Sequence, residues 1–443
     1  MKRRSFIKSG TVAGLSAIVM PRILFSDPVV KPMIRVGMIG VGLRGTNHLS
    51  NFLDRTDVEI PAICDIDSER ITIAQDLLVK AGRSKAEVYT GSDLAYQKLL
   101  KRDDLDGVII ATPWVWHFPM VMDAMKAGKV AGVEVAGAFS IEECWDLVNT
   151  CEHTGVPMMF LENVCYRRDV MAVLNMVRQG MFGELIHCQG GYQHDLRGVK
   201  FEPGVEFGEK GIHEAHWRTE HSVKRNGDLY PTHGVGPLSV SLNINRGNRF
   251  VSLTSTATKT RGLHQYIVEH GGEDNPNAAI KFALGDIVTT VIKCANGETV
   301  MLSHDTNSPR PYSLGFRVQG TKGLWMRDGN MIYIEGVSPE HHEWESFDSY
   351  QKKYDHPLWK KFEDAAVGSG HGGMDFFVLN AYVESLKRQV TPPLDVYDAA
   401  AWSVITPLSE ASIAAGGAPQ MFPDFTNGRW VRRTPVFALG DEY

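Results

Sequence analysis

The sequence predicts an α/β plus α+β protein: an N-terminal doubly wound parallel sheet, then a C-terminal domain with a mostly antiparallel open sheet. Three observations predict it. Short apolar runs alternate with helix-length segments from residue 34 to residue 161, the rhythm of parallel strands joined by crossover helices. A glycine-rich turn follows the first apolar run, where such sheets bind nucleotides. Beyond residue 185 strand-like runs succeed one another with few helical segments between them, which favours antiparallel pairing.

The first run, Ile34–Ile39, leads into Gly40-Val41-Gly42-Leu43-Arg44-Gly45. In a Rossmann turn of this pattern Gly42 lets backbone approach a pyrophosphate, and Gly45 lets the next helix pack close to the strand. The pyrophosphate then sits on that helix's N-terminal amides. An apolar-periodic segment, His48–Leu53, follows, and a second strand, Val58–Cys64, ends in Asp65. A carboxylate at that spacing accepts hydrogen bonds from an adenosine ribose and repels a 2′-phosphate, so NAD is predicted over NADP.

Ser92–Leu100 reads as helix, Gly107–Ala111 as strand, Trp116–Ala127 as helix and Val130–Val135 as strand. Ile141–Thr154 is the next helix and Met158–Leu161 the next strand. The strand ends carry Asp65, Thr112-Pro113-Trp114-Val115-Trp116-His117, Glu134-Val135 and Asn163, a predicted ring around a nicotinamide nucleotide. Trp114 and Trp116 suit either core packing or stacking on the cofactor, and His117 either a helix start or a ligand contact. Cys64, Cys144 and Cys151 are expected to be buried.

Composition narrows the class. The 443 residues include 46 Lys+Arg against 52 Asp+Glu, which gives no electrostatic footprint for nucleic acid. A 43% hydrophobic and 22% charged chain is neither collagen-like nor disordered. Six Cys without a CxxC pair exclude a disulfide scaffold and a thiolate zinc site. His213-Glu214-Ala215-His216 has the wrong spacing for a zinc helix, so no metal is predicted.

The start of the chain is different in kind. Met1-Lys2-Arg3-Arg4-Ser5-Phe6-Ile7-Lys8 precedes an apolar, small-residue stretch to Met20, the form of an export signal. The paired arginines resemble a twin-arginine signal, read by the twin-arginine export machinery. The expected partition is a signal segment at 1–26, an NAD-binding Rossmann domain at 33–166 and a substrate-binding α+β domain at 167–443, with a periplasmic location. No run of 18 apolar residues occurs, so no permanent membrane span is predicted. Five basic groups and no acidic one lie in residues 1–26, so the remaining chain is more acidic than the overall −6.

In the second half a helix, Val170–Gln179, stops at Gly180, and Leu185–Tyr192, Phe250–Ala257, Ile287–Cys294, Thr299–His304 and Leu314–Gln319 read as strands. Met374–Arg388 and Ala399–Ala414 read as helices. Groups suited to proton transfer and sugar binding concentrate in Gly190–Asp195, Tyr230–Pro237, His304–Tyr312 and Gly370–Asp375, since Tyr and His act as acid or base and hydrogen-bond hydroxyls. His341-His342 reads as solvated loop, and Arg218, taken alone, as an exposed arginine.

The glycine turn, the Ala111-Thr112-Pro113 strand end with His117 beyond it, and Glu134 resemble the glucose–fructose oxidoreductase/inositol dehydrogenase superfamily. There the fifth strand usually ends Glu-Lys-Pro, whose lysine assists alcohol oxidation; here the chain reads Glu134-Val135-Ala136. Cys165–Glu184, Gly190–Arg197, Asn226–Pro237, Asn245–Arg249, Arg310–Gly315, Gly370–Asp375 and Leu394–Tyr397 narrow the likeness. Together they resemble glycoside hydrolase family 109, the NAD-dependent α-N-acetylgalactosaminidases, over about Ile34 to Trp430. That family also lacks the lysine.

The resemblance implies hydrolysis through transient redox chemistry, outside the usual two-carboxylate scheme. Tightly bound NAD oxidises the sugar at C3, C2 loses its proton with elimination at C1, water adds, and C3 is re-reduced. It carries Gly40, Gly42, Leu43, Arg44, Gly45, Asp65, Trp114, Val115, Trp116, His117, Glu134, Val135 and Asn163 over as cofactor contacts. Tyr192, Arg218, Tyr230, Pro231, Thr232, His233 and Tyr312 carry over as substrate contacts, with Tyr192 and His233 expected in proton transfer and Tyr312 in support. The stretches Gly198–Gly211 and Gly329–Ser349 look shorter than is usual in the family. Two alternatives stand beside this reading: a net NAD-dependent sugar oxidoreductase, and a non-catalytic, cofactor-containing sugar-binding protein. Homo-oligomerisation stays open.

Overall fold

The structure, a computed structural model, describes residues 30–443; the basic segment at 1–26 lies outside the described residues. The first sheet holds β1 (Ile34–Ile39), β2 (Val58–Cys64), β3 (Glu87–Tyr89), β4 (Gly107–Ile110), β5 (Val130–Val133) and β6 (Met158–Phe160). Their order is β3-β2-β1-β4-β5-β6, and every pairing is parallel. All four residues of β4 are buried, as expected where helices cover both faces of a sheet. Strand order reverses between β1 and β4, which opens a crevice at their C-terminal ends.

Local chemistry sets the helices. Ser140 Oγ accepts the Glu143 amide at 3.0 Å, starting the helix Ile141–Thr154, and Gly155 at φ 69° ends it. The segment Ser92–Leu100 is only half helical: Ser92 Oγ accepts the Leu94 amide at 3.1 Å, and this turn delays the helix to Tyr96–Leu100. Two elements of the first sheet's half, residues 34–161, fall outside the sequence expectations. The helix Ser68–Lys80 starts on an Asp67 cap, and β3 is a three-residue edge strand with little burial, too short to show a period.

The second sheet has nine strands. They are β7 (Leu185–Gln193), β8 (Phe250–Ala257), β9 (Ile287–Cys294), β10 (Thr299–Asp305), β11 (Arg317–Gly320), β12 (Gly323–Met326), β13 (Met331–Ile334), β14 (Glu345–Ser346) and β15 (Gln420–Met421). Only β7 and β10 pair in parallel; the order is β14-β13-β12-β11-β7-β10-β9-β8-β15. The strand expected from Leu314 starts at Arg317, because Gly315 at φ 58° breaks the run and only a bridge joins Ser313 to Gln193. The helix expected at Ala399–Ala414 is two, Val396–Ser403 and Ile405–Ala414, the first begun early by a capping box of Asp395 and Asp398.

The C-terminal part of the chain interlocks with the first sheet. The helix Met374–Arg388 lays Tyr382 across β4 and β5, and its hydroxyl donates to Val130 O at 2.8 Å. A Cβ at Gly107 would stand 2.2 Å from that hydroxyl, and one at Gly132 would stand 3.1 Å from the ring. Glycine at both strand positions is the condition for this contact. Among the described residues no helix is long and apolar enough to cross a membrane.

Candidate active site

The crevice between β1 and β4 has the fit for a dinucleotide. At Gly45 a Cβ would lie 2.0 Å from Gly40 O, so only glycine lets the helix Leu43–Leu53 come this close. At Gly42 a Cβ would meet nothing within 4 Å: the space beside this backbone is open. No side chain caps the first amides of that helix, which leaves them for an anion. Asp65 Oδ2 accepts the Val41 amide at 2.7 Å and Oδ1 the Asp67 amide at 2.9 Å. Each oxygen keeps a lone pair for a ribose hydroxyl. Leu43 and Val115 project from the rim, 51% and 59% exposed.

Other expected cofactor contacts face elsewhere. His117 is buried, with Nε2 2.8 Å from Thr112 O and Nδ1 3.2 Å from Ala136 O. Burial holds its pKa down; the neutral ring donates to one of these two carbonyls, and both nitrogens face the protein's own backbone. Val135 is buried too, and the next residue, Ala136, takes a left-handed φ of 70°, a strained turn of the kind found at ligand sites. Trp114 packs among Phe139, Trp217, His221 and Tyr230, while Trp116 is half-buried against the core.

Arg44 and Asn163 converge on Asp375, the last residue of the Gly370–Asp375 segment, and Glu134 joins them through Arg44. Glu134 Oε1 accepts from Arg44 Nε at 2.6 Å and pairs with His48 Nε2 at 2.7 Å. Asp375, fully buried, accepts Arg44 through both oxygens at 2.7 and 2.9 Å, and Asn163 at 2.7 Å. Despite burial, His371 and Arg44 hold the Asp375 carboxyl, and Arg44 and His48 the Glu134 carboxyl, well below the usual carboxylate range.

The second part of the site forms where the helix Thr232–Ser241 lies directly on β7. A Cβ at Gly234 would stand 2.4 Å from Gly191 N, and one at Gly190 2.7 Å from Gly234 O. Backbone thus touches backbone, and this brings Tyr192 and His233 together, ring centroids 5.5 Å apart. Tyr230 stands 4.5 Å from Tyr192 and 4.9 Å from His233, and Tyr312 stands 6.3 Å from Tyr192. Tyr192 Oη is 3.2 Å from His194 Nδ1. Pro231 and Thr232 are buried in the turn below them.

His233 Nδ1 lies 2.8 and 2.9 Å from the two oxygens of Glu162, whose side chain is wholly buried. The carboxylate fixes the ring and favours a proton on Nδ1, leaving Nε2 for a substrate. Glu162 was missed in the sequence because an acid after the apolar run Met158–Leu161 reads as a cap. It does cap, accepting the Val164 amide at 3.1 Å. The available signal was a carboxylate just past the C-terminal end of the last strand of the parallel sheet.

Arg218 corrects the expectation of an exposed arginine. Its side chain is 11% exposed and lies over Trp114 at 4.5 Å, Trp217 at 5.2 Å and Tyr230 at 5.6 Å, paired with Glu214. An arginine stacked among three rings is a wall of the site. Burial pushes the Tyr192 and Tyr230 phenols well up, against the opposing pull of Arg218. Both are therefore neutral hydrogen-bond donors at neutral pH. His304, paired with Tyr192 across β7 and β10, is pushed down to about 3 by burial, Lys200 and Arg218.

Behind Tyr230, Asp228 is buried with Oδ1 accepting the Tyr230 amide at 3.2 Å and Oδ2 without a partner. Burial raises its pKa from 3.8 to about 7. The folded chain then holds this proton where the unfolded chain has lost it, so stability falls as pH rises between those two values. Asp228→Asn should remove that slope, raising Tm over the parent at pH 8 but scarcely at pH 4. Melting curves of both proteins at the two pH values check this.

Residues 34–161 match the family described as "Oxidoreductase family, NAD-binding Rossmann fold", and residues 166–432 match "Glycosyl hydrolase 109, C-terminal domain". The chain belongs to glycosyl hydrolase family 109. It is 52% identical to a glycosyl hydrolase family 109 protein of Stenotrophomonas maltophilia, over 100% of this chain and 99% of that one. It is 50% identical to an alpha-N-acetylgalactosaminidase of Tannerella forsythia, over 99% of each. Among solved structures, levoglucosan dehydrogenase with NADH and levoglucosan has TM-score 0.65 at 18% identity, covering 88% of this chain and 100% of that one. An inositol dehydrogenase homolog of Azotobacter vinelandii with NAD+ has TM-score 0.64 at 17% identity, covering 89% and 98%. This family 109 enzyme is thus an NAD-binding glycoside hydrolase on a dehydrogenase fold.

Proposed function

We propose that the enzyme hydrolyses terminal α-linked N-acetylgalactosamine with NAD retained between turnovers. The observation that carries the reading is the buried Glu162–His233 pair facing Tyr192, beside a crevice fitted to a dinucleotide. Gly42, the uncapped amides after it and Asp65 would hold NAD. When bound, the cofactor supplies reversible hydride exchange at a sugar carbon.

The chain's own residues supply the rest. Arg218 and the rings of Trp114 and Tyr230 wall the sugar in and exclude water. Glu162 orients His233 so that Nε2 takes or returns a proton, and the neutral phenol of Tyr192 donates one. Tyr312, half-exposed and 4.8 Å from His194, closes the open side. The Glu134-Val135-Ala136 strand end carries no lysine for net alcohol oxidation, which supports hydrolysis over a net oxidoreductase. Lys2-Arg3-Arg4 and the apolar stretch behind them support export by the twin-arginine route to the periplasm.

Purified protein given a nitrophenyl α-N-acetylgalactosaminide, with no NAD added, should release nitrophenolate without accumulating NADH. NADH rising in step with substrate loss would instead establish a net oxidoreductase.

A further inference from the structure

We infer that Asp375 and the glycine-rich strap before it form a latch that keeps NAD from leaving. The latch rests on NAD binding by the first sheet, which belongs to the family fold. Arg44, Glu134 and Asn163 follow three separate strands around the crevice; Asp375 of the helix Met374–Arg388 holds Arg44 and Asn163, and Arg44 in turn holds Glu134. A fork-to-fork arginine–carboxylate pair at 2.7 and 2.9 Å is the strongest pairing two side chains make, and here the carboxylate is fully buried.

The strap lies directly against this pair. Gly370, His371, Gly372 and Gly373 all have left-handed φ, between 43° and 95°. This coil brings His371 Nδ1 to 2.8 Å from Asp375 Oδ2 and 3.2 Å from Arg44 Nη1. A Cβ at Gly370 would stand 2.8 Å from Asp375 Oδ2, so the chain passes in contact with the carboxylate. His371 itself is half-exposed, its side chain at 52%. The base of the strap is fixed by Gly373 against Trp359 and the helix by Tyr382 on β4 and β5. Arg44 is held from a helix 331 residues away in sequence, and it stands in the first turn of the uncapped helix at Gly42. Opening the nucleotide turn therefore requires breaking the pair. Asp375 is a positioning residue here, and His371 closes over it.

The test is the dissociation rate of NAD from the purified holoenzyme, read by desalting and assay of released nucleotide over time, for parent, Asp375→Asn and His371→Ala. Each exchange should raise the rate, Asp375→Asn by at least about tenfold, with the Tm of NAD-stripped His371→Ala equal to that of stripped parent. Asp375→Asn can fail to fold; His371→Ala, at a half-exposed strap position, then decides alone. Rates equal to the parent in every variant that folds overturn the latch. A parent that carries no NAD at all overturns cofactor retention itself, a separate result.

Discussion

His233→Ala is expected to lower kcat by about 10²- to 10⁴-fold, the range for losing a positioned acid or base, with a much smaller change in KM. The ring faces Tyr192 and has a wholly buried carboxylate, Glu162, behind it at 2.8 Å. Removing it leaves Glu162 buried and without its main partner, so a stability loss accompanies the activity loss. Glu162→Gln separates the two effects. The amide still bonds Nδ1 but no longer stabilises an imidazolium, so kcat should fall while Tm stays near that of the parent. Steady-state kinetics on the chromogenic galactosaminide, together with melting curves, check both variants.

The second large effect comes from the glycine turn, where two substitutions should part company. Gly45→Ala puts a methyl 2.0 Å from Gly40 O, a backbone atom that cannot swing aside. Overpacking of this kind costs about 1–3 kcal/mol or more, and the helix must move off the strand, so both Tm and bound NAD should drop. Gly42→Ala meets no atom within 4 Å and should leave the stripped protein's Tm unchanged. Its methyl fills the space a pyrophosphate needs, so bound NAD should still fall. Nucleotide content and melting of the two stripped and loaded variants measure the contrast.

The parallel sheet was legible because its strands are buried on both faces and read as unbroken apolar runs, as in Gly107–Ile110. The edge strand Glu87–Tyr89 was not, since three residues with no buried face carry no period. The polar cleft was legible as a set of Tyr and His segments, but not how they meet. That depends on Gly190 and Gly234 letting two backbones touch, a three-dimensional condition with no local sequence mark. Glu162 was hidden, and Asp375 legible only as one member of the Gly370–Asp375 cluster, for a related reason: each looks like a helix-start acid until its partners, His233 and Arg44, arrive from 71 and 331 residues away. Arg218 read as exposed because the rings that cover it, Trp114 and Tyr230, come from other parts of the chain.

The proposed mechanism removes a proton from C2 of the sugar, the step on which it differs most from ordinary glycoside hydrolysis. Hydrolysis of a nitrophenyl α-N-acetylgalactosaminide in D2O, with the released sugar collected at early times and read by NMR, measures it. The enzyme is predicted to deliver a sugar carrying deuterium at C2 in step with nitrophenolate release. Release of a sugar with its original hydrogen at C2 would contradict that prediction.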